Sequence, residues 1–431
     1  MNLSVLLPVI NERDNLQVLI PRLHAVLEPE HLDYEILAID GGSTDGTQAA
    51  ARELGARVVA QRGPGYGGAL ATGFAEARGE YVVTLDADLS HDPAFVAKLW
   101  RAREQADIVI ASRYARGGMS YDSWGRRRLS RLLNWFLRRL LSLEACDLSS
   151  GFRLYRRAAL EGLGFEIAGF AVLEEILARA SSSGLGIAEV PFTFFPRESG
   201  RSHARLLKFG FELLRWVPAL WLLRNSASAA DYDERAFYSI IPMQRFWQRR
   251  RHRLIVLMAR AAGRTLDIGC GSSVIIQSLN NAVGLDVNWA KLRFLRRYGI
   301  PLIRGSTFAL PFRGESFECV ISSEVIEHVP CEEVLFDEMW RVLKPGGLLV
   351  VGTPDYGGWA WPTIERLYGW LLPWAYHCEH VSRYTRESLS AILAQRGFIH
   401  ETTNYILRGE MVMAWRKPQT PVAGAGLASR A

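Results

Sequence analysis

Two aspartates end an apolar run in the stretch YVVTLDADLSHDP, residues 81–93. The run into Leu85 is apolar and β-branched, which predicts a buried strand, and Asp86 and Asp88 follow it directly. Side chains alternate along an extended segment, so both carboxylates are expected on one side of the chain. Two such charges repel unless a cation lies between them, and Mg²⁺ binds one or two carboxylates together with substrate phosphates. The pattern predicts a divalent metal site, for Mg²⁺ or Mn²⁺; the alternative is a solvated acidic turn.

The elements that position these aspartates alternate along the first half of the chain. Short β-rich runs, separated by amphipathic stretches, are NLSVLL, YEILAI, RVVA and YVVTL. This alternation predicts an α/β domain with a parallel sheet and right-handed crossovers. In such sheets ligands bind beyond the carboxyl ends of the strands, where Asp40, Asp86 and Asp88 fall.

The alternation stops after Arg224 and then starts again. The small, polar sequence NSASAADYDE predicts a linker over residues 225–235. A second set of strands follows, RTLDI, AVGLD, ECVIS and GLLVVGT. A chain of 431 residues exceeds the usual size of one domain. We therefore predict two tandem α/β domains, residues 1–224 and 236–417, with an unstructured tail at 418–431.

Composition and cysteine usage indicate an ordinary globular protein and argue against extensive disorder. Hydrophobic residues make up 49% and charged residues 22%, as in ordinary globular proteins. Five scattered cysteines without a CxxC pair indicate a reduced, cytoplasmic protein without a cysteine-based metal site. The N-terminus lacks a basic region before its apolar run, so no signal peptide is expected. The stretch 206–223 contains Lys208, Glu212 and Arg215, so we expect it to lie on a membrane rather than to span one.

The net charge of +6 is unevenly distributed. Eight arginines lie between Arg113 and Arg139, together with three large aromatic residues, and a second basic cluster covers residues 244–253. Solvated helix faces and binding to phosphates or lipid headgroups are both consistent with this pattern. Within SWGRRRLSRLLNWFLRRLLSL, apolar residues recur at helical spacing, which suits either core packing or a lipid surface.

Further motifs accompany the paired aspartates. They are LPVINERDNL (7–16), IDGGSTDGT (39–47), GPGYGGALATGFAEARGEYVVTLDADLSHDP, ASRYARGG, CDLSSGFRLY and EVPFTFFPRESGRSH. In this order they resemble family 2 glycosyltransferases of the GT-A fold, of the polyprenyl-phosphate type that includes dolichol-phosphate mannosyltransferases. The resemblance covers residues 1 to about 224. It implies a nucleotide-sugar donor, a polyprenyl phosphate acceptor, a divalent metal and an interfacial helix in the arginine-rich stretch.

The resemblance also implies roles for individual residues. It places Pro8, Asn11, Glu12 and Asp40 around the nucleotide, and Asp86 and Asp88 at the metal and the diphosphate. The arginines that it assigns to phosphates are Arg113, Arg126, Arg127, Arg128 and Arg197.

Three positions depart from the family pattern. Ile10 stands where the family often has Tyr, Gly41 where a second Asp is usual, and His203 where Lys commonly follows Ser. The first two bear on the donor's base and sugar, and the third on the loop near Arg197.

The chemistry of a phosphate acceptor explains the need for arginine. A phosphate monoester has a second pKa near 6, so it is mostly dianionic at pH 7 and needs no general base. It does need positioning beside another anion, which guanidinium groups provide through fixed bidentate contacts. In-line attack on the anomeric carbon would invert its configuration.

A glycine-rich turn opens the second domain. RTLDIGCGSS, residues 264–273, ends a strand, and Asp286 lies 19 residues after Asp267 at the tip of the next strand. An acidic residue at this spacing is placed for ribose hydroxyls. The turn carries Gly269 and Gly271 but lacks the GxGxxG continuation that binds a pyrophosphate. This favours S-adenosylmethionine over a dinucleotide.

The rest of the second domain strengthens this interpretation. IRGSTFALPFRGESFECVISSEVIEHV, MWRVLKPGGLLVVGTP and EHVSRYTRESLSAILAQRGF resemble class I methyltransferases of the Rossmann-like type in order and spacing. Ser306 occupies the place where the family often has an Asp near the adenine amine. Methylation of a hydroxyl requires a base, for which Glu327, His328 and His380 are candidates, although each is equally suited to a structural role. The tryptophan-rich segment 355–376 is expected to form a lid over an amphiphilic acceptor.

The main hypothesis is a bifunctional enzyme. It would transfer a sugar to a polyprenyl phosphate and a methyl group to a glycan or lipid-linked acceptor, at the inner face of the membrane. An alternative is transfer to a sugar hydroxyl in surface polysaccharide synthesis, with His91 or Glu175 as base and a fused sugar O-methyltransferase. Another is a membrane-associated scaffold with one inactive domain. Nucleic acid is not expected as a partner, because no NPPY-like motif is present.

Overall fold

A computed structural model describes residues 1–195, 206–330, 333–371 and 380–419. The chain forms two compact units, Met1–Arg224 and Asn225–Ala431. Each unit is built on its own seven-stranded sheet. Both are α/β domains, as the sequence predicted.

The sheet of the first unit is mixed. The strands in the described part of this unit are β1 (Leu3–Val9), β2 (Tyr34–Asp40), β3 (Arg57–Ala60), β4 (Tyr81–Thr84), β5 (Ile108–Ser112), β6 (Met119–Ser120), β7 (Arg153–Arg156), β8 (Ile187–Pro191) and β9 (Thr193–Phe194). Their order is β3-β2-β1-β4-β7-β5-β8, with β6 and β9 paired separately. The four strands predicted from the sequence are parallel neighbours, which confirms that prediction. Strand β7 is antiparallel to β4 and β5.

Helices cover the first sheet. They are α1 (Arg13–Leu27), α2 (Thr47–Glu53), α3 (Gly65–Glu76), α4 (Phe95–Arg101), α5 (Trp124–Leu140), α6 (Arg157–Leu160), α7 (Val172–Ser182) and α8 (Leu206–Asn225), with a 3-10 turn at Glu28–Glu30. Helix α1 buries Leu16, Leu19, Ile20, Leu23 and Leu27. This spacing of three and four residues gives one apolar face, which packs into the same core as β1.

The second unit contains a parallel sheet with one reversed strand next to its edge strand. Its strands are β10 (Thr265–Ile268), β11 (Ala282–Asp286), β12 (Leu302–Arg304), β13 (Phe317–Ser323), β14 (Leu343–Pro354), β15 (Ile399–Ile406) and β16 (Glu410–Arg416). The order is β12-β11-β10-β13-β14-β16-β15, and β16 runs antiparallel to both of its neighbours. The carboxyl ends of β10, β11 and β13 therefore lie side by side.

The helices of the second unit flank that sheet. They are α9 (Tyr232–Phe237), α10 (Pro242–Ala259), α11 (Val274–Gln277), α12 (Trp289–Leu295), α13 (Glu333–Val342), α14 (Ala360–Leu371) and α15 (Arg386–Gln395), with 3-10 turns at Arg296–Tyr298 and Ile326–His328. Within the described residues, every helix is too short or too polar to span a membrane.

Two segments differ from their predicted roles. Residues 225–235 do not form a simple linker, because α9 begins at Tyr232 and the Asp233 carboxylate accepts hydrogen bonds from the Ser272 amide and Lys291 Nζ, both at 2.9 Å. In the stretch 206–223, Leu220 is buried in the core of the first unit, so this part of the stretch is not free to lie on a membrane. The predicted tail lies outside the described residues from position 420 onward.

Candidate functional sites

Hydrogen bonds connect the loops after β1 and β2 at the carboxyl edge of the first sheet. Asn11 has a positive φ of 56°, and its Oδ1 accepts a hydrogen bond from the Thr44 amide at 2.9 Å. The Asn11 amide donates to Ser43 Oγ, and the Glu12 amide donates to Thr47 Oγ1, each at 2.9 Å. These bonds fix the two loops as one surface. Pro8, near the end of β1, lies at the same edge.

Asp40 ends β2 at this surface and is almost completely buried. Its carboxylate accepts hydrogen bonds from Gln48 Nε2 at 2.7 Å and from the amides of Gly42 and Ser43 at 3.1 and 3.2 Å. Burial alone would raise the pKa of Asp40, but the bonds from Ser43, Gln48 and Gly42 outweigh burial and hold the pKa below its usual value. Asp40 is therefore an ionised, fixed acceptor at the predicted nucleotide site.

Asp86 and Asp88 follow β4 at the same edge, but not in the extended segment that the sequence predicted. Residues 87–89 form a bend, and Leu89 has a positive φ of 61°. The Asp86 amide donates to His91 Nδ1 at 3.1 Å, and the Ser90 amide donates to Asp88 Oδ1 at 3.0 Å. Simple strand alternation therefore does not set the directions of these two carboxylates; a hydrogen-bonded turn does.

The surroundings of Asp86 suit a hard divalent cation. Carboxylate oxygens are the preferred ligands of Mg²⁺ and Mn²⁺. The Tyr66 hydroxyl donates to Asp86 Oδ1 at 3.4 Å. A Cβ at Gly151 would lie 2.7 Å from that hydroxyl and 3.7 Å from Asp86 Oδ1, so the absent side chain keeps space open beside the carboxylate. The residues present therefore fit a Mg²⁺ or Mn²⁺ ion.

The two residues considered as a general base in this unit have structural contacts. His91 is buried, its ring stacks on Phe152 with 5.0 Å between centroids, and burial lowers its pKa. Its Nδ1 already accepts the Asp86 amide. Glu175 accepts hydrogen bonds from the Ile167 amide at 2.9 Å and from Arg179 Nε at 2.8 Å. Neither geometry favours transfer to a sugar hydroxyl.

Arg113 forms a bidentate pair with Asp147, a residue that the sequence analysis did not single out. Arg113 Nε and a terminal nitrogen each donate to the fully buried Asp147 carboxylate at 2.7 Å. Burial would lower the pKa of Arg113, but the charge of Asp147 outweighs this effect and raises it. Arg113 remains charged, yet much of its charge is compensated, so it is less available to a phosphate than a solvated arginine.

Three of the other predicted phosphate-binding arginines lie on α5. Arg126 is exposed on α5, and Arg127 donates to the Ser120 carbonyl at 3.2 Å. Arg128 lies over the Trp124 ring, 4.5 Å from its centroid. Arg197, like His203, lies outside the described residues.

Helix α5 presents an apolar face to solvent. Its inner side buries Leu137 and Asn134, and Asn134 Oδ1 accepts the Leu148 amide at 2.6 Å. On the outer side Leu132, Trp135 and Phe136 are 60%, 62% and 50% exposed. The apolar stripe predicted from the sequence therefore splits, with one part in the core and the other in solvent.

A buried carboxyl group, Glu174 on α7, was also missed by sequence analysis. It is 1% exposed, Oε2 has no hydrogen-bond partner among the described residues, and burial raises its pKa to about 7. A pattern of consecutive glutamates in a helix gives no signal of such burial, because burial depends on the packing of distant segments.

The raised pKa of Glu174 predicts that the stability of the first unit depends on pH. Its pKa is higher in the folded state, so the stability it contributes is full below the ordinary pKa of Glu and is lost as the pH rises through about 7. Glu174→Gln removes this loss, and we expect it to raise the Tm at pH 8 by roughly 5 °C relative to the parent protein, with a smaller difference at pH 5. Calorimetry at both pH values checks this. Glu161→Gln, at an exposed position, is the control; equal effects of the two substitutions would contradict the prediction.

In the second unit, the Asp286 carboxylate holds the glycine-rich turn after β10 in place by a hydrogen bond. Asp286 Oδ2 accepts the Gly271 amide at 2.8 Å, and Oδ1 accepts the Asn288 amide at 2.7 Å. Gly269 and Gly271 both have positive φ, 65° and 53°. A Cβ at Gly269 would lie 2.3 Å from Val325 Cγ2, so this close approach requires glycine.

Asp267 leaves an unused acceptor beside this turn. Its Oδ2 is buried and has no hydrogen-bond partner among the described residues. Burial, then the nearby charge of Asp286, raises its pKa to about 8. A cationic or hydrogen-bond-donating group of a ligand can satisfy this oxygen, so the turn fits S-adenosylmethionine, which carries an ammonium group. Ser306 is exposed just beyond β12, and its Oγ accepts the Phe308 amide at 3.2 Å.

The three candidate bases of the second unit lie together. Glu327 is fully buried, accepts the Thr353 hydroxyl at 3.1 Å, and has its pKa raised by burial to about 7. His380 Nδ1 lies 2.7 Å from the Tyr356 hydroxyl, and burial lowers the pKa of His380 to about 4. The His328 ring meets that of His380 edge to face, with 5.0 Å between centroids. Residues 372–379 of the predicted lid lie outside the described residues.

In comparison with known proteins, each half of the chain matches a family model. Residues 4–164 match the family model described as glycosyl transferase family 2, and residues 266–351 match the model described as methyltransferase domain. The polyprenol monophosphomannose synthase of Mycolicibacterium smegmatis is 34% identical over 230 residues, which are 49% of this chain and 85% of that protein.

Two further relatives are similar to the same half. The dolichol-phosphate mannosyltransferase of Pyrococcus furiosus is 33% identical over 243 residues, half of this chain, and the match spans only 64% of that protein. A crystal structure of glucosyl-3-phosphoglycerate synthase from Mycobacterium tuberculosis, in complex with Mn²⁺, uridine diphosphate and glucosyl-3-phosphoglycerate, is 27% identical. It covers 52% of this chain and 79% of that chain, with a TM-score of 0.40.

Proposed function

The chain belongs to glycosyl transferase family 2 and carries a methyltransferase domain after the glycosyltransferase domain, and from this premise we propose a bifunctional enzyme. The first unit transfers a sugar from a nucleotide-sugar donor to a polyprenyl phosphate, with inversion and with a divalent metal. The second transfers a methyl group from S-adenosylmethionine to a glycan or a lipid-linked acceptor. Both act at the inner face of the membrane.

The observation that carries the glycosyltransferase proposal is the group of carboxylates at one edge of the first sheet. Asp40 ends β2, and Asp86 and Asp88 follow β4, while β1 lies between these two strands. The Asp40 carboxylate accepts hydrogen bonds from its own loop and from Gln48 of α2, and thereby fixes the loop that is proposed to face the nucleotide. A divalent ion bound by Asp86 and Asp88 would neutralise the departing diphosphate.

The hydrogen bonds that His91 and Glu175 make within the first unit support a phosphate, rather than a sugar hydroxyl, as the acceptor. A sugar hydroxyl needs a base to take its proton, whereas a phosphate monoester is already dianionic near pH 7. His91 Nδ1 accepts the Asp86 amide, and the Glu175 carboxylate accepts the Ile167 amide and Arg179 Nε. The acceptor phosphate instead needs cations, for which exposed Arg126 and Arg128 on α5, together with Arg197, are proposed.

For the second unit, the support is the geometry of the glycine turn. Asp286 is fixed by two backbone amides, yet each carboxylate oxygen has a second lone pair for a ribose hydroxyl. Asp267 Oδ2, which lacks a hydrogen-bond partner in the part of the chain that the structure describes, can accept a hydrogen bond from the cofactor's ammonium group. We propose that Gly269 and Gly271 let the backbone approach the cofactor closely and that Ser306 lies near the adenine.

The proposal is tested by incubating the full chain, with Mg²⁺ or Mn²⁺, with a panel of labelled nucleotide sugars. The acceptors are a short polyprenyl phosphate, the matching polyprenol without phosphate, and a simple oligosaccharide. We expect labelled product from the polyprenyl phosphate alone. Product from the oligosaccharide alone would establish the polysaccharide alternative instead, and no product with any donor would favour the scaffold alternative.

The outer face of α5 predicts peripheral membrane binding. Exposed apolar side chains with arginine beside them bind anionic lipid surfaces. Each basic residue near such a surface contributes about 1 kcal/mol, so reversing both Arg126 and Arg128 to Glu is expected to weaken binding to anionic liposomes by roughly 30-fold or more. Sedimentation with liposomes measures this, and high salt should release the parent protein.

A matched control reverses Arg22 and Arg52, which are exposed on α1 and α2. Equal loss of binding in this control would show a general charge effect rather than a surface on α5. Parent protein that stays in the supernatant at low salt, or that resists alkaline carbonate extraction, would contradict peripheral binding.

A further inference from the structure

Three side chains at the carboxyl end of β13 converge in a way that suits a metal ion. One ligand atom from each of Glu327, His328 and His380 lies within 4.8 Å of the others. We propose that these residues bind one divalent transition-metal ion, in addition to the ion proposed at Asp86 and Asp88. The inference rests on the proposed methyltransferase function of the second unit.

Glu327 carries a buried oxygen, Oε1, that no other group in the described part of the chain hydrogen-bonds. The side chain is fully buried, and Oε2 accepts the Thr353 hydroxyl at 3.1 Å. Oε1 is also buried and has no hydrogen-bond partner among the described residues. A buried carboxylate oxygen without a partner is costly, and a bound cation removes that cost. Backbone contacts also hold this turn in place, because the Glu327 carbonyl accepts the amides of Val381 and Ser382.

His380 makes the kind of hydrogen bond that supports a metal-bound histidine. The Tyr356 hydroxyl donates to Glu365 Oε1 at 3.0 Å, which leaves its oxygen to accept a hydrogen bond from His380 Nδ1 at 2.7 Å. With its proton on Nδ1, His380 has the Nε2 lone pair available for a metal. Histidines that bind metals commonly donate their second ring N–H to such a partner, which fixes the tautomer and the ring.

The donor set determines the class of ion. Two imidazoles and one carboxylate suit Zn²⁺, Fe²⁺, Mn²⁺ or Co²⁺, whereas Mg²⁺ prefers oxygen ligands throughout. Three protein ligands also leave coordination positions open, as in catalytic rather than structural zinc sites. The proposed ion could therefore bind an oxygen of the methyl acceptor.

The cluster lies next to the proposed cofactor turn. Val325, two residues before Glu327, is in contact range of Gly269, where a Cβ would approach Val325 Cγ2 to 2.3 Å. Strands β10 and β13 are parallel neighbours, with Ile268 opposite Ser322. A metal ion held here would lower the pKa of an acceptor hydroxyl, so that its proton could pass to water. The oxygen lone pair would then form the bond to the methyl carbon while the carbon–sulfur bonding pair passes to sulfur, which would leave S-adenosylhomocysteine.

The test uses the full chain with Asp86→Asn and Asp88→Asn, so that the first proposed metal site does not contribute. After chelation and removal of the chelator, Co²⁺ alone is titrated and its visible absorption is recorded. We expect one equivalent to bind with the spectrum of a nitrogen- and oxygen-ligated ion. His380→Asn and His328→Asn, each added to this background, should weaken binding by at least about 100-fold, because even loss of a residue that supports a ligand costs 10- to 100-fold.

The control variant is His400→Asn, which removes an exposed histidine of the same unit. It should bind Co²⁺ as the background does, and circular dichroism checks that all variants are folded. No stoichiometric Co²⁺ binding, or equal binding in the His380 and His400 variants, would overturn the inference. S-adenosylmethionine binding is measured separately by calorimetry: its presence without metal binding refutes the metal site alone, and its absence refutes the proposed function of the unit.

Discussion

The Asp88→Asn variant is expected to lose glycosyl transfer almost completely while it keeps its affinity for S-adenosylmethionine. Asparagine retains an oxygen to accept the Ser90 amide, so the turn after β4 should persist. The substitution removes the negative charge that holds a divalent cation beside the leaving diphosphate. We expect the rate to fall by at least about 100-fold, since even residues that only support a metal ligand contribute 10- to 100-fold. Transfer of labelled sugar to a polyprenyl phosphate measures the loss.

Asp92→Asn is the matched control for this prediction. Asp92 is exposed in the same loop, and its carboxylate accepts a hydrogen bond from the Ala94 amide at 3.0 Å. The control should transfer sugar at the parent rate. Unchanged transfer in Asp88→Asn would eliminate the assignment of this carboxylate to the metal, whereas loss of S-adenosylmethionine binding as well would point to general misfolding.

The second large effect is expected at Asp286. Asp286→Asn keeps one side-chain oxygen to accept a backbone amide but replaces the other oxygen with an NH₂ group. This group is a donor and would face the N–H donor of Gly271 or Asn288, which is unfavourable. The substitution also removes the charged acceptor proposed for the ribose hydroxyls. A hydrogen bond to a charged group contributes about 1.5 to 3 kcal/mol, so S-adenosylmethionine affinity should fall roughly 10- to 150-fold.

Calorimetric titration with S-adenosylmethionine measures this change. Asp337→Asn, which alters an exposed carboxylate paired with Arg396, is the control and should bind as the parent does. Glycosyl transfer by the Asp286 variant should also be unchanged, because the first unit has its own core. An unaltered affinity in Asp286→Asn would remove this residue from the cofactor site.

Much of the fold could be predicted because its signals are local. The apolar runs that became β1, β2, β4, β10 and β11 are short, β-branched and bounded by glycine or polar residues, and these features depend only on neighbouring positions. The placement of Asp40 and Asp286 at strand ends followed from the same runs. Gly269 was recognisable because a tight turn after a strand requires a residue that adopts positive φ.

The conformation of the DAD segment shows where local reasoning fails. Alternation predicts the direction of side chains only while the backbone stays extended. Here the Asp86 amide bonds to His91 instead of to a neighbouring strand, so the chain bends. Whether a strand continues depends on the availability of a pairing partner, and that information lies in other parts of the chain.

The sequence by itself determined the two α/β units, the edge of each sheet that carries chemistry and the residue types found there. Only the tertiary structure decided how charges and ligands combine. It paired Arg113 with Asp147, 34 residues away, buried Glu174 and brought His380 beside Glu327. The physical reason is that burial, ion pairing and ligand convergence depend on distances between segments remote in sequence, whereas strand periodicity and turn chemistry depend on adjacent residues.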